Sequence, residues 1–146
     1  MGKVYVSGAL TGVDDSEFLK AFYEAIGSLC RELSLEAYIP HLITDPCTNP
    51  DVTPRKVFET DKYQISQSNL VVAYVGFPSL GVGMELAYAE VKDIPIILLY
   101  EQGKNISRFP RGIPTVIAEI QFQDPSDALI KLKVCLDQFR GNLSPD

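Results

Sequence analysis

The sequence predicts a three-layer α/β protein, a doubly wound five-stranded parallel sheet in the flavodoxin-like or Rossmann-like order 2-1-3-4-5 with helices on both faces. Three observations carry that expectation. Five short runs rich in β-branched and aromatic residues alternate with segments of helical apolar spacing. LVVAYV (70–75) and IPIILLY (94–100) are continuously apolar, as strands covered on both faces must be. The glycine-bearing connections SGALTG and GFPSLGVG follow the first and third runs, which in this order flank the point where strand direction of growth reverses and ligands bind.

Each element has its own signal. KVYVS (3–7), closed by Gly8, reads as the first strand. Asp14, Asp15 and Ser16 offer capping oxygens, and Phe18, Phe22, Ile26 and Leu29 then recur at helical spacing, giving a helix to about residue 34. Glu36 to Ile39 form a short second strand ended by Pro40, and PHLITDPCTNPDVT (40–53) reads as a long loop. Thr53 followed by Pro54 starts a helix to about Ser68, whose apolar Val57, Tyr63 and Ile65 suit either the core or an interface. After the third strand comes FPSLGVGMELAYAE (77–90), a turn that becomes a helix to about Lys92. IPIILLY supplies the fourth strand, and a polar loop with RFPRGIP (108–114) leads to TVIAEIQF (115–122). Asp124 and Pro125 begin a terminal helix carrying Leu129, Leu132, Leu136 and Phe139.

The 146 residues fit one domain, 1–146, without internal repeat or linker. A formal net charge of -6 and no basic stripe argue against a nucleic-acid polymer as partner. Three isolated cysteines and a single histidine leave no zinc-type ligand set, and fit a reducing, cytoplasmic compartment. No apolar run approaches a membrane span. No metal or redox cofactor is implied.

The glycine-rich turn before Glu85 bears the strongest chemical suggestion. Gly81 and Gly83 permit close backbone approach, and Ser79 adds a hydroxyl beside amides at a helix start. Glycines needed only for turn dihedrals explain the same residues equally well. Read singly, Glu85 is an acid favoured by the dipole of a helix's first turn. Asp61 and Glu59 read as solvated helical residues, Tyr5 as core, and His41 as a residue facing water.

Taken together, these residues acquire a shared meaning. LVVAYVGFPSLGVGMELA resembles the signature of the nucleoside 2-deoxyribosyltransferase family, most closely its 2′-deoxynucleoside 5′-phosphate N-hydrolases, with Met84 where those carry an aromatic residue. Asp61 ahead of Asn69-Leu70-Val71-Val72, Tyr5 within VYVSG, and His41 after the second strand extend the match over roughly the first two-thirds of the chain. The resemblance implies that Glu85 is the nucleophile at C1′ of a deoxyribosyl unit. It implies that Asp61 is the acid/base for the departing nucleobase and then for water, and that Tyr5 holds Glu85. Ser7, Gly8, Ala9, Thr11, Gly12, His41, Ser79, Gly81 and Gly83 would line the substrate.

The reaction implied is hydrolysis of the N-glycosidic bond of a 2′-deoxynucleoside 5′-monophosphate, or a related nucleoside, by a two-carboxylate retaining route. The partner is therefore a small deoxynucleoside or deoxynucleotide. Family members assemble as dimers or larger oligomers whose neighbouring subunit completes the pocket, so a homodimer is expected. One departure stands out: the relatives' first loop has a serine and an arginine for the phosphate, where this chain has Ala9 and Thr11. A threonine does not replace a bidentate guanidinium. Two alternatives accompany the hydrolase: transfer of the deoxyribosyl group to another base, and a non-catalytic nucleotide sensor in the same crevice.

Overall fold

All five expected strands form, and they pair in parallel in the order β2-β1-β3-β4-β5. The computed structural model describes residues 2–143. Along the chain run β1 (Lys3–Ser7), α1 (Ser16–Glu32), β2 (Glu36–Tyr38), α2 (His41–Thr44), α3 (Pro54–Ser66), β3 (Leu70–Tyr74) and α4 (Leu80–Val91). These are followed by β4 (Ile96–Glu101), α5 (Arg108–Arg111), β5 (Val116–Phe122) and α6 (Pro125–Gly141).

The helix starts have local causes. Asp15 accepts a hydrogen bond from the Phe18 amide at 3.1 Å, and Thr53 accepts one from Lys56 at 3.2 Å with Pro54 beside it. Ser79 caps α4 through the Val82 amide at 3.3 Å, and Asp124 caps α6 through Asp127 at 2.8 Å. Each side chain satisfies an amide that the helix itself leaves free.

Strand alternation divides the core in two. Val4, Val6, Val72, Ile97 and Leu99 face α1 and α6, where they meet Phe22, Ile26, Leu132 and Leu136. Tyr5, Val71, Ala73, Ile96 and Leu98 face the other way, toward Ile65 of α3 and Val82 and Leu86 of α4. Because Tyr5 and Ser7 are two apart on β1, both side chains point into this second layer.

The structure departs from the sequence reading in four places. The 40–53 segment contains a helical turn, α2, and the 108–114 loop contains another, α5. Phe18 is mostly exposed, so the apolar face of α1 begins one turn later, at Phe22. Helix α4 begins at Leu80, so Glu85 is its sixth residue and no acid occupies its first turn. The dipole explanation of Glu85 therefore falls.

Candidate active site

The carboxylate of Glu85 is gripped from β1 by both of its oxygens. The Tyr5 hydroxyl donates to Oε2, and the Ser7 hydroxyl donates to Oε1 at 3.1 Å. Tyr5 and Ser7 have no exposed surface at all, so neither donor is free to swing away. Burial raises the Glu85 pKa; the Tyr5 hydrogen bond opposes this, the charge of Asp61 adds to it and Ser7 opposes it, leaving a value of about 7. Burial, and then the charges of Glu85 and Asp61, push the Tyr5 phenol far above its ordinary range. Tyr5 thus remains a proton-bearing donor at every physiological pH.

Asp61 reaches the same crevice from the middle of α3. The Tyr38 hydroxyl donates to its Oδ1 at 3.2 Å. Tyr38 lies on β2 opposite Tyr5 in the sheet register, and the two rings stack with centroids 5.5 Å apart and planes 28° from parallel. Burial raises the Asp61 pKa, against the lowering effect of the Tyr38 hydrogen bond. Asp61 and Glu85 are also close enough that the charge of one raises the pKa of the other. Two carboxylates and two phenols thus share one end of the sheet. Tyr38 is the member that sequence reasoning did not find. Its only signal was a tyrosine in the strand beside Tyr5, and nothing in the sequence set the register that brings them together.

The remaining candidates separate into two groups. Gly8, Ala9 and His41 gather around Tyr23 rather than around the carboxylates. A Cβ on Gly8 would overlap the Tyr23 ring, the Tyr23 hydroxyl donates to the Ala9 carbonyl at 2.9 Å, and the His41 ring lies 6.2 Å from it. His41 does not face water: it is buried, with Nε2 3.4 Å from Glu24 and Nδ1 unpartnered. Thr11 and Gly12 are exposed beyond this knot, and Gly12 uses a left-handed φ of 75°.

Ser79, Gly81 and Gly83 sit at the start of α4. Ser79 is committed as an acceptor to the cap, while its own hydroxyl proton remains available. Gly81 and Gly83 are exposed and neither has a positive φ, so turn dihedrals do not account for them. A Cβ on Gly83 would meet nothing within 4 Å.

A cavity of about 630 Å³ lies on the far flank of α4, lined by Phe77, Ser79, Val82, Gly83, Leu86 and Phe109 among others. It touches the predicted loop at Ser79 and Gly83 but includes none of Tyr5, Asp61 or Glu85. The carboxylates form a separate cluster, defined by its hydrogen bonds, and it carries the acidic chemistry. The β4–β5 connection, which holds only the short α5, supplies the other wall of the cavity through Ile106, Phe109 and Ile113.

At the end of β4, Glu101 forms a second tyrosine–carboxylate pair, with a tyrosine that faces the opposite layer. The Tyr74 hydroxyl donates to Oε2 at 2.8 Å, and Lys104 Nζ reaches the same oxygen at 2.8 Å and the Gly76 carbonyl at 3.0 Å. Among the described residues no group of three or more His, Cys, Asp and Glu side chains is arranged to hold a metal ion. No helix among them is long and apolar enough to cross a membrane.

Comparison with known proteins gives these observations a context. A protein of Syntrophotalea carbinolica, provisionally named 2′-deoxynucleoside 5′-phosphate N-hydrolase 1, is 33% identical over 105 residues, 69% of this chain and 70% of its own. One of the same provisional name from Thermofilum pendens is 37% identical over 84 residues, 56% of this chain and 59% of its own. Among solved structures, the CMP N-glycosidase of Clostridium botulinum superposes with a TM-score of 0.71 at 22% identity, covering 91% of this chain and 98% of that one. A 2-deoxyribosyltransferase from Bacillus psychrosaccharolyticus gives 0.64 at 19% identity, covering 86% and 89% respectively. These two likenesses establish the fold. No protein-family model matches the chain.

Proposed function

The chain belongs to the nucleoside 2-deoxyribosyltransferase family, with relatives among its 2′-deoxynucleoside 5′-phosphate N-hydrolases, and on that premise we propose that it hydrolyses the N-glycosidic bond of a 2′-deoxynucleoside 5′-monophosphate or a close nucleoside analogue. The observation that carries this reading is the meeting of Glu85, held by Tyr5 and Ser7, with Asp61 at one sheet edge.

In the first step the ionised Glu85 attacks C1′ as the bond to the nucleobase breaks, and Asp61 gives its proton to the departing base. Oxocarbenium charge at C1′ is greatest between the two bonds, and the desolvated Glu85 carboxylate opposes it at close range. In the second step Asp61, now ionised, takes a proton from water. The resulting hydroxide attacks C1′, and Glu85 leaves with the electrons of its ester bond. Tyr5 and Ser7 hold Glu85 in line throughout. The exposed first loop, Thr11 and Gly12, and the α4 start at Ser79, Gly81 and Gly83 surround the sugar and its 5′ group.

The working unit in this proposal is a cytoplasmic homodimer. Leu80, Met84 and Val91 stand exposed on α4 around the small Gly83 and Ala87, and Phe58 and Tyr63 stand exposed on α3. Exposed apolar side chains of this kind favour burial against another surface.

The test is a panel of deoxynucleosides and their 5′-monophosphates, each incubated with the protein and assayed for free base. Base release from at least one of them is expected, with deoxyribose or its 5-phosphate as co-product. Base exchange in the presence of a second free base, without net sugar release, would make the protein a transferase. Ligand binding with no bond cleavage would leave only the sensor.

A further inference from the structure

We infer that Tyr38 is a positioning residue for Asp61, directing which carboxyl oxygen works on the substrate and holding the acid ready to ionise. The inference rests on the glycosidic reading of the site and adds to it a residue from a third strand.

The geometry is specific. Among the described residues the only hydrogen bond to the Asp61 side chain comes from Tyr38, at Oδ1. A carboxylate hung from a helix can rotate about its last bond, so one fixed donor decides its orientation. With Oδ1 engaged as an acceptor, the proton that passes to the base, and is later regained from water, resides on Oδ2. The donor itself is held in place: its ring stacks on Tyr5, whose hydroxyl holds Glu85. The two acids are thus tied to one aromatic pair, formed because Tyr5 and Tyr38 are register partners on adjacent strands. A slip of one residue between β1 and β2 would turn one of the two rings to the opposite face.

The groups facing Asp61 are Tyr38 from β2, Tyr5 from β1 and Glu85 from α4, while Lys3 Nζ stands 6.0 Å from the Tyr38 ring centroid. A phenylalanine would fill the same space and stack as well. The hydroxyl is the part that packing alone does not require.

The test compares the wild-type protein with Tyr38→Phe, which keeps the ring and removes the donor. Isotope-labelled carboxyl groups followed by NMR through a pH titration of the ligand-free protein report Asp61 directly. The Asp61 midpoint is expected to rise by about one pH unit in the variant, because a hydrogen bond to the charged form has gone. In the base-release assay kcat falls about tenfold with KM held, and the Asp61 limb of the pH profile moves by the same shift. An unchanged Asp61 midpoint would overturn the inference, as would a wild-type kcat and pH profile.

The reciprocal variant, Asp61→Asn, guards against a misfolded Tyr38→Phe. Its Tyr38 phenol should titrate lower, since the Asp61 charge no longer opposes the phenolate; an unmoved phenol would also overturn the inference. If the wild type releases no base from any substrate, the hydrolase reading fails while the two NMR titrations still decide whether Tyr38 holds Asp61.

Discussion

Glu85 and Glu101 are held alike and behave oppositely. Each accepts a hydrogen bond from a tyrosine of a parallel strand, Tyr5 on β1 and Tyr74 on β3, and the two tyrosines face opposite sides of the sheet. Burial raises the pKa of both acids. At Glu101 the Lys104 ammonium, aided by Tyr74, outweighs burial and brings the pKa below the ordinary glutamate value. At Glu85 no cation answers, the nearby Asp61 is itself an acid, and the pKa climbs to about 7. The difference lies in depth of burial, greater at Glu85, and in one lysine. With it, a tyrosine–carboxylate pair becomes a brace that ties β4 to the loop at Gly76. Without it, the same pair leaves a buried carboxylate that changes charge near neutral pH, and in the proposed reaction only its ionised form attacks C1′.

Replacing each glutamate by glutamine should separate the two roles most widely. Glu85→Gln is expected to lower kcat for base release by about three orders of magnitude or more, because the amide cannot form the glycosyl ester. Its circular dichroism should remain that of the wild type. Glu101→Gln should leave kcat within about twofold and cost about 1 kcal/mol of stability, the scale of a partly exposed charge-assisted pair. Equal kinetic losses from both would erase the contrast.

The pH dependence of stability should differ in sign. Unfolded, Glu85 gives up its proton near the ordinary 4.5; folded, it keeps it to about 7. Between those values the unfolded chain binds fewer protons, so stability is fully present below the lower value and declines as pH rises through the upper one. The decline is of order 3 kcal/mol, and the raised Asp61 adds to it. Glu101, with its lowered pKa, contributes stability that is lost as pH falls, below the range where Glu85 acts. Chemical denaturation at several pH values checks this: Glu85→Gln should flatten the slope between pH 4.5 and 7. A slope that survives the substitution belongs to other groups.

The sequence revealed the sheet more readily than the site. Strand order was legible because LVVAYV and IPIILLY are apolar at every position, and only central parallel strands demand that. Tyr5, Asp61 and Glu85 entered through the resemblance; taken one at a time, each had an ordinary structural explanation. Tyr38 stayed hidden because its partnership depends on the register of a three-residue strand, which short-range pattern does not fix. At Gly8, expected to line the substrate, a Cβ would also overlap the Tyr23 ring, a contact between residues fifteen apart that short-range pattern does not show. Lys104 went unnoticed as well, being a polar residue in a turn until folding lays it against Glu101.

Glycine offers the finest version of the same comparison, since Gly8 directly follows β1 and Gly83 lies in the first turn of α4, yet the two have opposite surroundings. At Gly8 the protein itself fills the space where a Cβ would lie. At Gly83 nothing lies within 4 Å, the backbone is not left-handed, and the residue sits exposed in α4. In that setting glycine weakens a helix by roughly 0.5–1 kcal/mol relative to alanine. Gly83→Ala should therefore raise the unfolding free energy by that small amount, read by chemical denaturation. If the open surface serves a substrate or a second subunit, the added methyl should also raise KM or weaken dimer formation, measured by substrate titration and sedimentation. A stability gain with both properties intact would show that Gly83 admits nothing, and would confine the chemistry of this edge to the side of α4 where Glu85 meets Tyr5.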